Sequence, residues 1–584
     1  MCGIVGYAGN IETACGKPLE VCLQGLERLE YRGYDSAGVA LTAPGMDKVV
    51  VRKKAGRLKN LVEDIERKPM PLATVGIGHT RWATNGEPSD VNAHPHTSMD
   101  GKVAIIHNGI IENASQLRLD LQAEGYRFAS ATDTEVAAKL LGKIVDKIIA
   151  DEGKPDLFKA VRRMARMLEG AFTILATDCR QPDIVVGARH DSPLVVGLGE
   201  GENFLGSDVA AFVAYTKRAM EVDQDQAVCV SADKVIVADF NGNVVENPKT
   251  YTVDWDASAA EKGGWDSFMD KEIHEDPAAV QRTLLGRFDT NGDITLDEVR
   301  IDEHDFKSID KIIVVACGTA SYAGQVAKYA IEHWVRIPVE IELAHEFRYR
   351  DPILTPRTLV VAISQSGETM DTLMALRHAR EQGSKVLAIC NTQGASIPRE
   401  SDAVLYTHAG PEVAVASTKA FVAQITAAYL LGLYLAQVKG AMFRDEIHQM
   451  LDSLKDMPRK IQWVLDTQPK TIQAAAERMV NANSFLFLGR HVGYPVALEG
   501  ALKLKEIAYT FTEGFAAGEL KHGPIALVDE GEPVVFIVPP QRGRNVLHAK
   551  VISGIEEVKA RGAYIIAVAE QGDPDVERYA DVVF

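Results

Sequence analysis

The alternation of hydrophobic and polar residues predicts a β-rich N-terminal region. From residue 1 to about 240, short apolar segments recur, as in TVGIGHTRWAT and KVAIIHNG, and helical stretches interrupt them near residues 17–30 and 133–148. Strands grouped with helices between them predict stacked sheets with helices on the outside. We therefore expect a first domain over residues 1–240.

The strand pattern stops between about residues 245 and 285, where a polar, glycine-containing stretch leads into a helix. Domain boundaries fall in stretches of this kind, because few contacts cross them. We therefore expect a linker over residues 241–285.

The segment DTNGDITLDEVR, residues 289–300, resembles a calcium-binding loop. However, Ile294 stands where that loop needs Gly, and Arg300 stands where it needs a bidentate Glu. The segment is instead predicted to be a hairpin turn around Asn291 and Gly292.

After about residue 300 the pattern changes to strand–loop–helix units, which indicate parallel α/β structure. The units recur: IIVVACGTASYAGQVAKYAIEHW parallels SFLFLGRHVGYPVALEGALKLKEIA, each an apolar strand, a glycine turn and an amphipathic helix. We expect two doubly wound α/β domains, over residues 286–445 and 455–584. Such sheets bind ligands at the carboxyl ends of their strands.

Composition narrows the classes of partner. The net charge of −18 argues against nucleic acid or an anionic membrane surface, because both need a basic face. The apolar run from Ile425 to Ala436 is about a dozen residues long, whereas a membrane span needs about twenty, so it predicts a buried helix. The seven cysteines are scattered and form no CxxC pair, which suits a reducing cytoplasm and neither a disulfide framework nor a zinc site.

The turn SQSGET, residues 364–369, follows a buried strand and precedes a helix. It holds three hydroxyls, and backbone N–H groups at a helix start carry partial positive charge, so a phosphate monoester fits there. The alternative is an ordinary helix cap, for which one hydroxyl suffices. The P-loop pattern is absent, which argues against a nucleoside triphosphate. A second polar turn, CGTAS at residues 317–321, is expected to face the same crevice.

Ionisable residues mark the second α/β repeat. Glu499, Lys503 and Glu506 share one helix face, and His522 lies in the loop GELKHGP. The helix face alone is also typical of a solvated ion-paired surface. Aldose–ketose chemistry needs a group to open the sugar ring and a carboxylate to move a proton, and His522 and Glu506 are the candidates.

The chain begins MCGIVGYAG and has no secretory signal pattern. Cys2 has two interpretations. It is a small buried thiol, or Met1 is removed and Cys2 becomes a terminal residue that holds both a nucleophile and an amine base.

Together these motifs carry a close resemblance. The motifs are MCGIVGY, EYRGYDSAG, GHTRWAT, NAHPH, HNGIIEN, TDTE, SQSGET, ASTKAF, ALEGALKLKE and GELKHGP. Because it contains all of them in this order, the chain resembles the glutamine–fructose-6-phosphate aminotransferase (isomerising) family over essentially its whole length. The resemblance implies an N-terminal αββα sandwich of the N-terminal-nucleophile (Ntn) hydrolase type, followed by two sugar isomerase (SIS) domains. It also implies L-glutamine and fructose 6-phosphate as substrates, a homodimer, and no cofactor or metal.

For the glutaminase half, the resemblance implies that the Cys2 thiolate attacks glutamine and that its α-amino group relays protons. The Asn108 side chain and the Gly109 N–H would stabilise the oxyanion. The residues implied to bind glutamine or gate an ammonia channel are Arg81, Trp82, Thr84, His94 and Asp133.

For the synthase half, the resemblance places the phosphate and sugar on one set of residues: Thr319, Ala320, Ser364, Gln365, Ser366, Thr369, Val415 and Ser417. His522, given by the neighbouring subunit, would open the ring. Glu506 would shuttle the proton and Lys503 would support the developing charge.

The chain departs from the family in several places. It ends at Phe584, inside a predicted strand and before the tail that carries the family's Schiff-base lysine, so we expect a truncated sequence. Asn85, Ala320 and Phe511 replace the family's usual His, Ser and His. Two alternatives stay open: another keto sugar phosphate as acceptor, or SIS domains that only sense a phosphosugar.

Overall fold

The computed structural model describes residues 2–10, 17–30, 33–83, 86–253, 262–289, 291–542 and 546–584. The chain divides into two compact units, Met1–Gly263 and Gly264–Phe584.

The N-terminal unit is built on antiparallel strands. Its strands are β1 (Gly3–Gly9), β2 (Ser36–Thr42), β3 (Val50–Ala55), β4 (Val75–Arg81), β5 (His96–Thr97), β6 (Val103–Gly109), β7 (Phe172–Asp178), β8 (Gln181–His190), β9 (Val195–Leu198), β10 (Glu202–Gly206), β11 (Arg218–Glu221), β12 (Gln226–Val230), β13 (Val235–Asp239) and β14 (Thr250–Thr252). Its helices are α1 (Lys17–Arg28), α2 (Leu58–Arg67), α3 (Ala114–Ala123), α4 (Asp133–Glu152) and α5 (Leu157–Ala165).

These strands form two stacked sheets within the described residues. One has the order β14-β11-β9-β10-β1-β4-β2-β3 and the other β13-β12-β8-β7-β6-β5. Alternate residues of a strand face opposite sides of its sheet. Accordingly Val5 packs in the core beneath α1 and α2, whereas Ile4 packs between the sheets. Likewise Ile105 packs against α4 and α5, and Ile106 faces the other sheet. The unit is therefore an αββα sandwich, and the predicted fold class is confirmed.

The C-terminal unit begins with helices and then alternates strands with helices. Its elements are α6 (Phe268–His274), α7 (Asp276–Leu284), α8 (Glu303–Ser308), β15 (Lys311–Ala316), α9 (Thr319–Val335), β16 (Val339–Leu343), α10 (Ala344–Arg350), β17 (Thr358–Ser364), α11 (Met370–Glu381), β18 (Lys385–Cys390), α12 (Ser396–Glu400), β19 (Ala403–Tyr406), α13 (Lys419–Lys439), α14 (Arg444–Lys455), α15 (Met457–Thr467), α16 (Pro469–Met479), β20 (Ser484–Gly489), α17 (Gly493–Ala508), β21 (Phe511–Ala516), β22 (Pro533–Ile537), α18 (Leu547–Lys559), β23 (Tyr564–Val568), α19 (Pro574–Glu577) and β24 (Val582–Val583).

Two parallel sheets organise these elements, with orders β16-β15-β17-β18-β19 and β21-β20-β22-β23-β24 among the described strands. In the first sheet, Ile312 and Val314 pack on the side of α9 and α13, whereas Ile313 and Val315 pack on the side of α10 and α11. Helices therefore cover both faces, as the prediction of doubly wound domains requires. The carboxyl ends of β15 and β17 lie side by side.

Two local predictions can be compared with the structure. Phe288 and Ile294 pair across a turn in which Gly292 has φ +83°, so the segment is a hairpin and not a calcium loop. The predicted buried helix is longer than the apolar run, since α13 spans 21 residues. By length and composition α13 is long enough to cross a membrane, but most of it is buried inside this unit against α9 and α7.

The stretch predicted as a linker contains ordered elements. The helices α6 and α7 belong to the C-terminal unit, and Val280 and Leu284 of α7 are part of its core.

Candidate active sites

The Cys2 thiol lies at the edge of the N-terminal unit's first sheet. Pairing of Gly3 with Thr80 places Cys2 beside the end of β4, where the Trp82 N–H donates to Cys2 Sγ at 3.2 Å. Burial raises the pKa of the Cys2 thiol, and the Trp82 N–H and the Arg81 charge oppose that rise. The thiol is therefore shielded and protonated, and it needs a base before it can act as a nucleophile.

The segment HNG at the end of β6 reaches the same residue. Asn108 Nδ2 donates to the Cys2 carbonyl oxygen at 2.8 Å. His79 Nε2 lies 3.0 Å from the His107 carbonyl, which can only accept, so that nitrogen carries the proton. The same N–H lies 3.1 Å from Asn108 Oδ1, and this fixes the amide with its NH₂ group toward Cys2.

Gly109 ends β6 with φ +117°. A Cβ there would lie 2.0 Å from the Ala171 carbonyl oxygen, so only glycine fits. The strand end therefore supplies a backbone N–H directly after the Asn108 side chain.

The residues implied to bind glutamine have different surroundings. Arg81 is 3% exposed, donates to the Gly86 carbonyl at 3.1 Å and interacts electrostatically with Cys2 and Asp133. Asp133 opens α4 and accepts from the Ile111 N–H at 3.0 Å. Trp82 is 43% exposed and packs edge-to-face on Tyr34. Thr84 and Asn85 lie outside the described residues.

His94 lies in a buried group of imidazoles. Its ring is 4.2 Å from that of His79, 5.3 Å from that of His96 and 6.5 Å from that of His107. Burial lowers the pKa of His79 to about 3 and holds the pKa of His94 well below its ordinary value. The rings of His79 and His94 are therefore neutral near pH 7, and His94 packs on the His79 ring that bonds to Asn108.

In the C-terminal unit, a cavity of about 160 Å³ opens at the carboxyl ends of β15 and β17. Its lining contains Cys317, Thr319, Ala320, Ile363, Ser364, Gln365, Ser366, Thr369, Ser417 and Gln424. Most of the predicted sugar-phosphate residues therefore meet in one place. The prediction that Val415 contributes to this site is wrong. Val415 is 52% exposed and does not line the cavity, because the turn 412–418 points its Ser417 inward instead.

The turn 364–369 is shaped by its own hydroxyls. Ser364 Oγ lies 3.0 Å from Thr369 Oγ1 and accepts from the Gly367 N–H, and Ser366 Oγ accepts from the Glu368 N–H. Gly367 has φ +67°, and a Cβ there would lie 2.5 Å from the Ala395 Cβ. This compact loop ahead of α11 brings hydroxyl and N–H donors to the cavity, as an anion site requires.

Gln424 is a lining residue that sequence reasoning missed. It is 2% exposed on α13, and its Oε1 has no hydrogen-bond partner among the described residues. A buried amide oxygen is costly unless something donates to it. The signal in the sequence was a single amide inside the apolar helix FVAQITAAYLLGLYL.

A charged network joins α17 to this cavity. Lys503 Nζ lies 3.0 Å from Thr319 Oγ1, 2.7 Å from Glu506 Oε2 and 3.4 Å from Glu499 Oε1. The Thr319 hydroxyl donates to Glu499 at 3.1 Å. Burial raises the pKa of Glu499 to about 7, so this carboxyl exchanges protons near neutrality. Sequence reasoning placed Glu499 on this face but gave it no role.

His522 is not part of that network. It ends the short 3-10 helix Glu519–His522, is exposed, and does not line the cavity of its own chain.

Hydrogen bonds to Glu272 of α6 fix the turn that carries Ser417. Glu272 Oε1 accepts from the Val413 and Ala414 N–H groups, at 2.5 and 3.0 Å, and Glu272 Oε2 accepts from the Thr418 hydroxyl at 3.2 Å. Burial raises the pKa of Glu272 to about 7. An acidic residue outside the cavity therefore positions one wall of it.

Comparison with known proteins agrees with this geometry. A family model described as "Glutamine amidotransferase domain" matches residues 79–214, and one described as "SIS domain" matches residues 305–434 and 478–584. The glutamine–fructose-6-phosphate aminotransferase [isomerizing] of Corynebacterium diphtheriae is 62% identical over 583 residues, which cover 100% of this chain and 92% of that protein. The protein of the same name from Mycobacterium tuberculosis is 54% identical over 588 residues, with the same coverage.

A solved structure is also similar to the second half of the chain. The C-terminal domain of glucosamine-fructose-6-phosphate aminotransferase from Francisella tularensis is 39% identical, with a TM-score of 0.52. The match covers 56% of this chain and 90% of that one.

Proposed function

Because the chain belongs to the glutamine–fructose-6-phosphate aminotransferase (isomerising) family, we propose that it transfers the amide nitrogen of L-glutamine to D-fructose 6-phosphate. The products are D-glucosamine 6-phosphate and L-glutamate. The observation that carries the proposal is the hydroxyl-lined cavity beside the network of Thr319, Glu499, Lys503 and Glu506. It combines an anion cradle with carboxyls suited to moving protons.

In the N-terminal unit, Cys2 attacks the side-chain amide carbon of glutamine. The Cys2 α-amino group, freed by removal of Met1, takes the thiol proton and delivers it to the leaving ammonia. Asn108 Nδ2 and the Gly109 N–H stabilise the oxyanion, at about 3–4 kcal/mol for each donor. Arg81 and Asp133 hold the substrate's carboxylate and ammonium groups. Water then hydrolyses the thioester to glutamate and regenerates the thiol.

In the C-terminal unit, the turn 364–369 binds the phosphate and Thr319 faces the sugar. After ring opening by His522, ammonia adds to C2 and water leaves, which forms an imine. Glu506 removes a proton from C1 and returns one to C2, so that C1 becomes the aldehyde carbon. Lys503 offsets the charge that develops, and Glu499 keeps Lys503 and Thr319 in place. The water released here balances the water consumed at the thioester.

We also propose that the working protein is a homodimer. The exposure of His522, and its absence from the cavity lining of its own chain, support a role in the site of a second copy.

The test measures glutamate and glucosamine 6-phosphate formed by the protein when it is supplied with glutamine and fructose 6-phosphate. Cys2→Ala should abolish both products and leave fructose 6-phosphate binding unchanged. Ser366→Ala combined with Thr369→Ala should weaken sugar-phosphate binding about fivefold or more and spare glutamine binding, because it removes two hydroxyl donors at about 0.5–1.5 kcal/mol each. Cys229→Ala, at a thiol outside both sites, serves as the control and should retain full activity.

Two results would contradict the proposal. One is glutaminase activity that survives in Cys2→Ala. The other is sugar-stimulated glutamate release without any aminated sugar, which would make the SIS domains a sensor.

A further inference from the structure

Three potential metal ligands meet at the carboxyl edge of the first parallel sheet. Cys317 follows β15, His345 lies in the first turn of α10 after β16, and Asp371 lies in the first turn of α11 after β17. The strands β16, β15 and β17 are neighbours in the sheet, so their ends converge. The thiol sulfur, one imidazole nitrogen and one carboxylate oxygen all lie within 4.8 Å of one another.

The three side chains are of types that bind particular metal ions. Thiolate, imidazole and carboxylate are the side-chain groups that bind Zn²⁺, at about 2.0–2.3 Å. A tetrahedral site then separates its ligand atoms by about 3.3–3.8 Å. The side chain of His345 is 46% exposed, so neighbouring side chains enclose only part of its imidazole.

The three groups are also available. Asp371 makes no hydrogen bond or ion pair with any other residue that the structure describes, and His345 has only a long contact, 3.8 Å, with Glu346. The sulfur of Cys317 accepts from the Thr372 hydroxyl at 3.9 Å, a long contact that leaves it accessible to a metal ion.

A second cluster, His548 with Asp573 and Asp575, does not offer the same availability. His548 Nε2 is already 2.7 Å from Asp573 Oδ2, and the other oxygen of Asp573 caps α19 by accepting from the Asp575 and Val576 N–H groups. These hydrogen bonds already occupy the atoms of His548 and Asp573 that would bind a metal ion. We therefore use this cluster as a comparison for the cluster of Cys317, His345 and Asp371.

We propose that Cys317, His345 and Asp371 form a binding site for Zn²⁺ or a similar soft divalent cation, with a fourth position open. Cys317 also lines the hydroxyl-rich cavity. A cation at this site therefore lies beside that cavity, and its charge favours an anion there.

The experiment titrates the metal-free full chain, kept reduced without a chelating reductant, with Co²⁺ as the spectroscopic probe and then displaces the Co²⁺ with Zn²⁺. A Cys-ligated Co²⁺ shows thiolate-to-metal charge-transfer absorption. We expect one such site in the wild-type protein and loss of the absorption in Cys317→Ser. We expect His345→Gln and Asp371→Asn to weaken binding about tenfold or more, since each removes one ligand.

Two control variants separate this site from other ligands in the chain. Cys2→Ser removes the proposed nucleophilic thiol and His548→Gln disrupts the second cluster, and both should keep the absorption. The proposal is overturned if the wild-type protein shows no charge-transfer absorption, or if the absorption survives Cys317→Ser. It is also overturned if metal affinity is unchanged in both His345→Gln and Asp371→Asn. Because His345 is exposed, His345→Gln gives a clear result even if Cys317→Ser folds poorly. No substrate is added, so the outcome does not depend on the proposed function.

Discussion

At the scale of single residues, two buried polar atoms at or beside the C-terminal cavity have no hydrogen-bond partner among the described residues. Gln424 Oε1 and Glu499 Oε2 are both buried and accept no hydrogen bond from the described residues. Leaving such an atom unsatisfied costs about 1–3 kcal/mol. We expect the hydroxyl groups of a bound sugar to donate to Gln424 Oε1, which lines the cavity, and so to contribute to sugar binding.

Gln424→Leu tests this argument. Removing the orphan amide should leave the melting temperature unchanged or higher. It should weaken fructose 6-phosphate binding about 2- to 12-fold, the equivalent of about 0.5–1.5 kcal/mol for one hydrogen bond. Calorimetric titration of sugar binding and thermal unfolding measure the two effects.

The matched control is Thr426→Val, at another buried polar residue of α13 whose hydroxyl donates to the Val422 carbonyl of the same helix. It should leave the binding constant alone. An unchanged constant in Gln424→Leu as well would show that Gln424 does not contact the sugar.

At the scale of elements, a helix before the first parallel sheet shapes a wall of the cavity. Through Glu272, α6 holds the backbone of the turn 412–418, and through Glu275 α7 is paired with Lys419 at the start of α13. Burial raises the pKa of Asp276 to about 7, as it does that of Glu272. This contact between elements is therefore sensitive to pH.

The sign of that sensitivity follows from proton binding. The ordinary pKa of Glu272, 4.5, is raised to about 7 on folding, so between these values the folded chain holds more protons than the unfolded chain. The free energy of unfolding therefore falls as the pH rises from about 4.5 to about 7. Glu272→Gln keeps the shape without the charge, so its melting temperature relative to wild type should be higher at pH 8 than at pH 5.

Thermal unfolding of the C-terminal unit at several pH values checks this expectation. Glu381→Gln, at an exposed glutamate of the same unit, is the control and should follow the wild-type curve at every pH. A difference between Glu272→Gln and wild type that does not change with pH would contradict the raised pKa.

At the scale of the whole molecule, the proposed reaction depends on two compact units and on a residue outside its own chain's cavity. The N-terminal unit holds Cys2 and the C-terminal unit holds the phosphate turn. His522 is exposed and away from that cavity's lining. If a second copy donates His522, two chains that have different substitutions can together form one complete site.

Complementation tests this assembly. His522→Ala alone, and Ser366→Ala with Thr369→Ala alone, should each form little glucosamine 6-phosphate when fructose 6-phosphate is well below saturation. Co-expressed with separate tags and purified as the mixed dimer, they should regain synthesis, because one site then has an intact cradle and an intact histidine. Failure to regain activity in a verified mixed dimer would mean that His522 acts within its own chain.

The sequence by itself determined the elements and the layers in which they pack. Period-two strands with flanking helices predicted the αββα sandwich, and repeated strand–turn–helix units predicted the parallel sheets. Local chemistry also marked the turn 364–369, because hydroxyls, a glycine and a helix start lie within a few residues. These features depend on near neighbours in the chain, so pattern and propensity are enough to predict them.

Only the tertiary structure decided which distant groups meet. Stacking of the two sheets of the N-terminal unit brings Asn108 to Cys2, and packing of α17 brings Glu499 to Thr319. Convergence of three strand ends gathers Cys317, His345 and Asp371, although their spacing resembles no metal motif. The raised pKa of Glu499, the orphan oxygen of Gln424 and the outward position of Val415 depend likewise on burial. Burial and long-range register are properties of the assembled sheets, so no local stretch of sequence contains them.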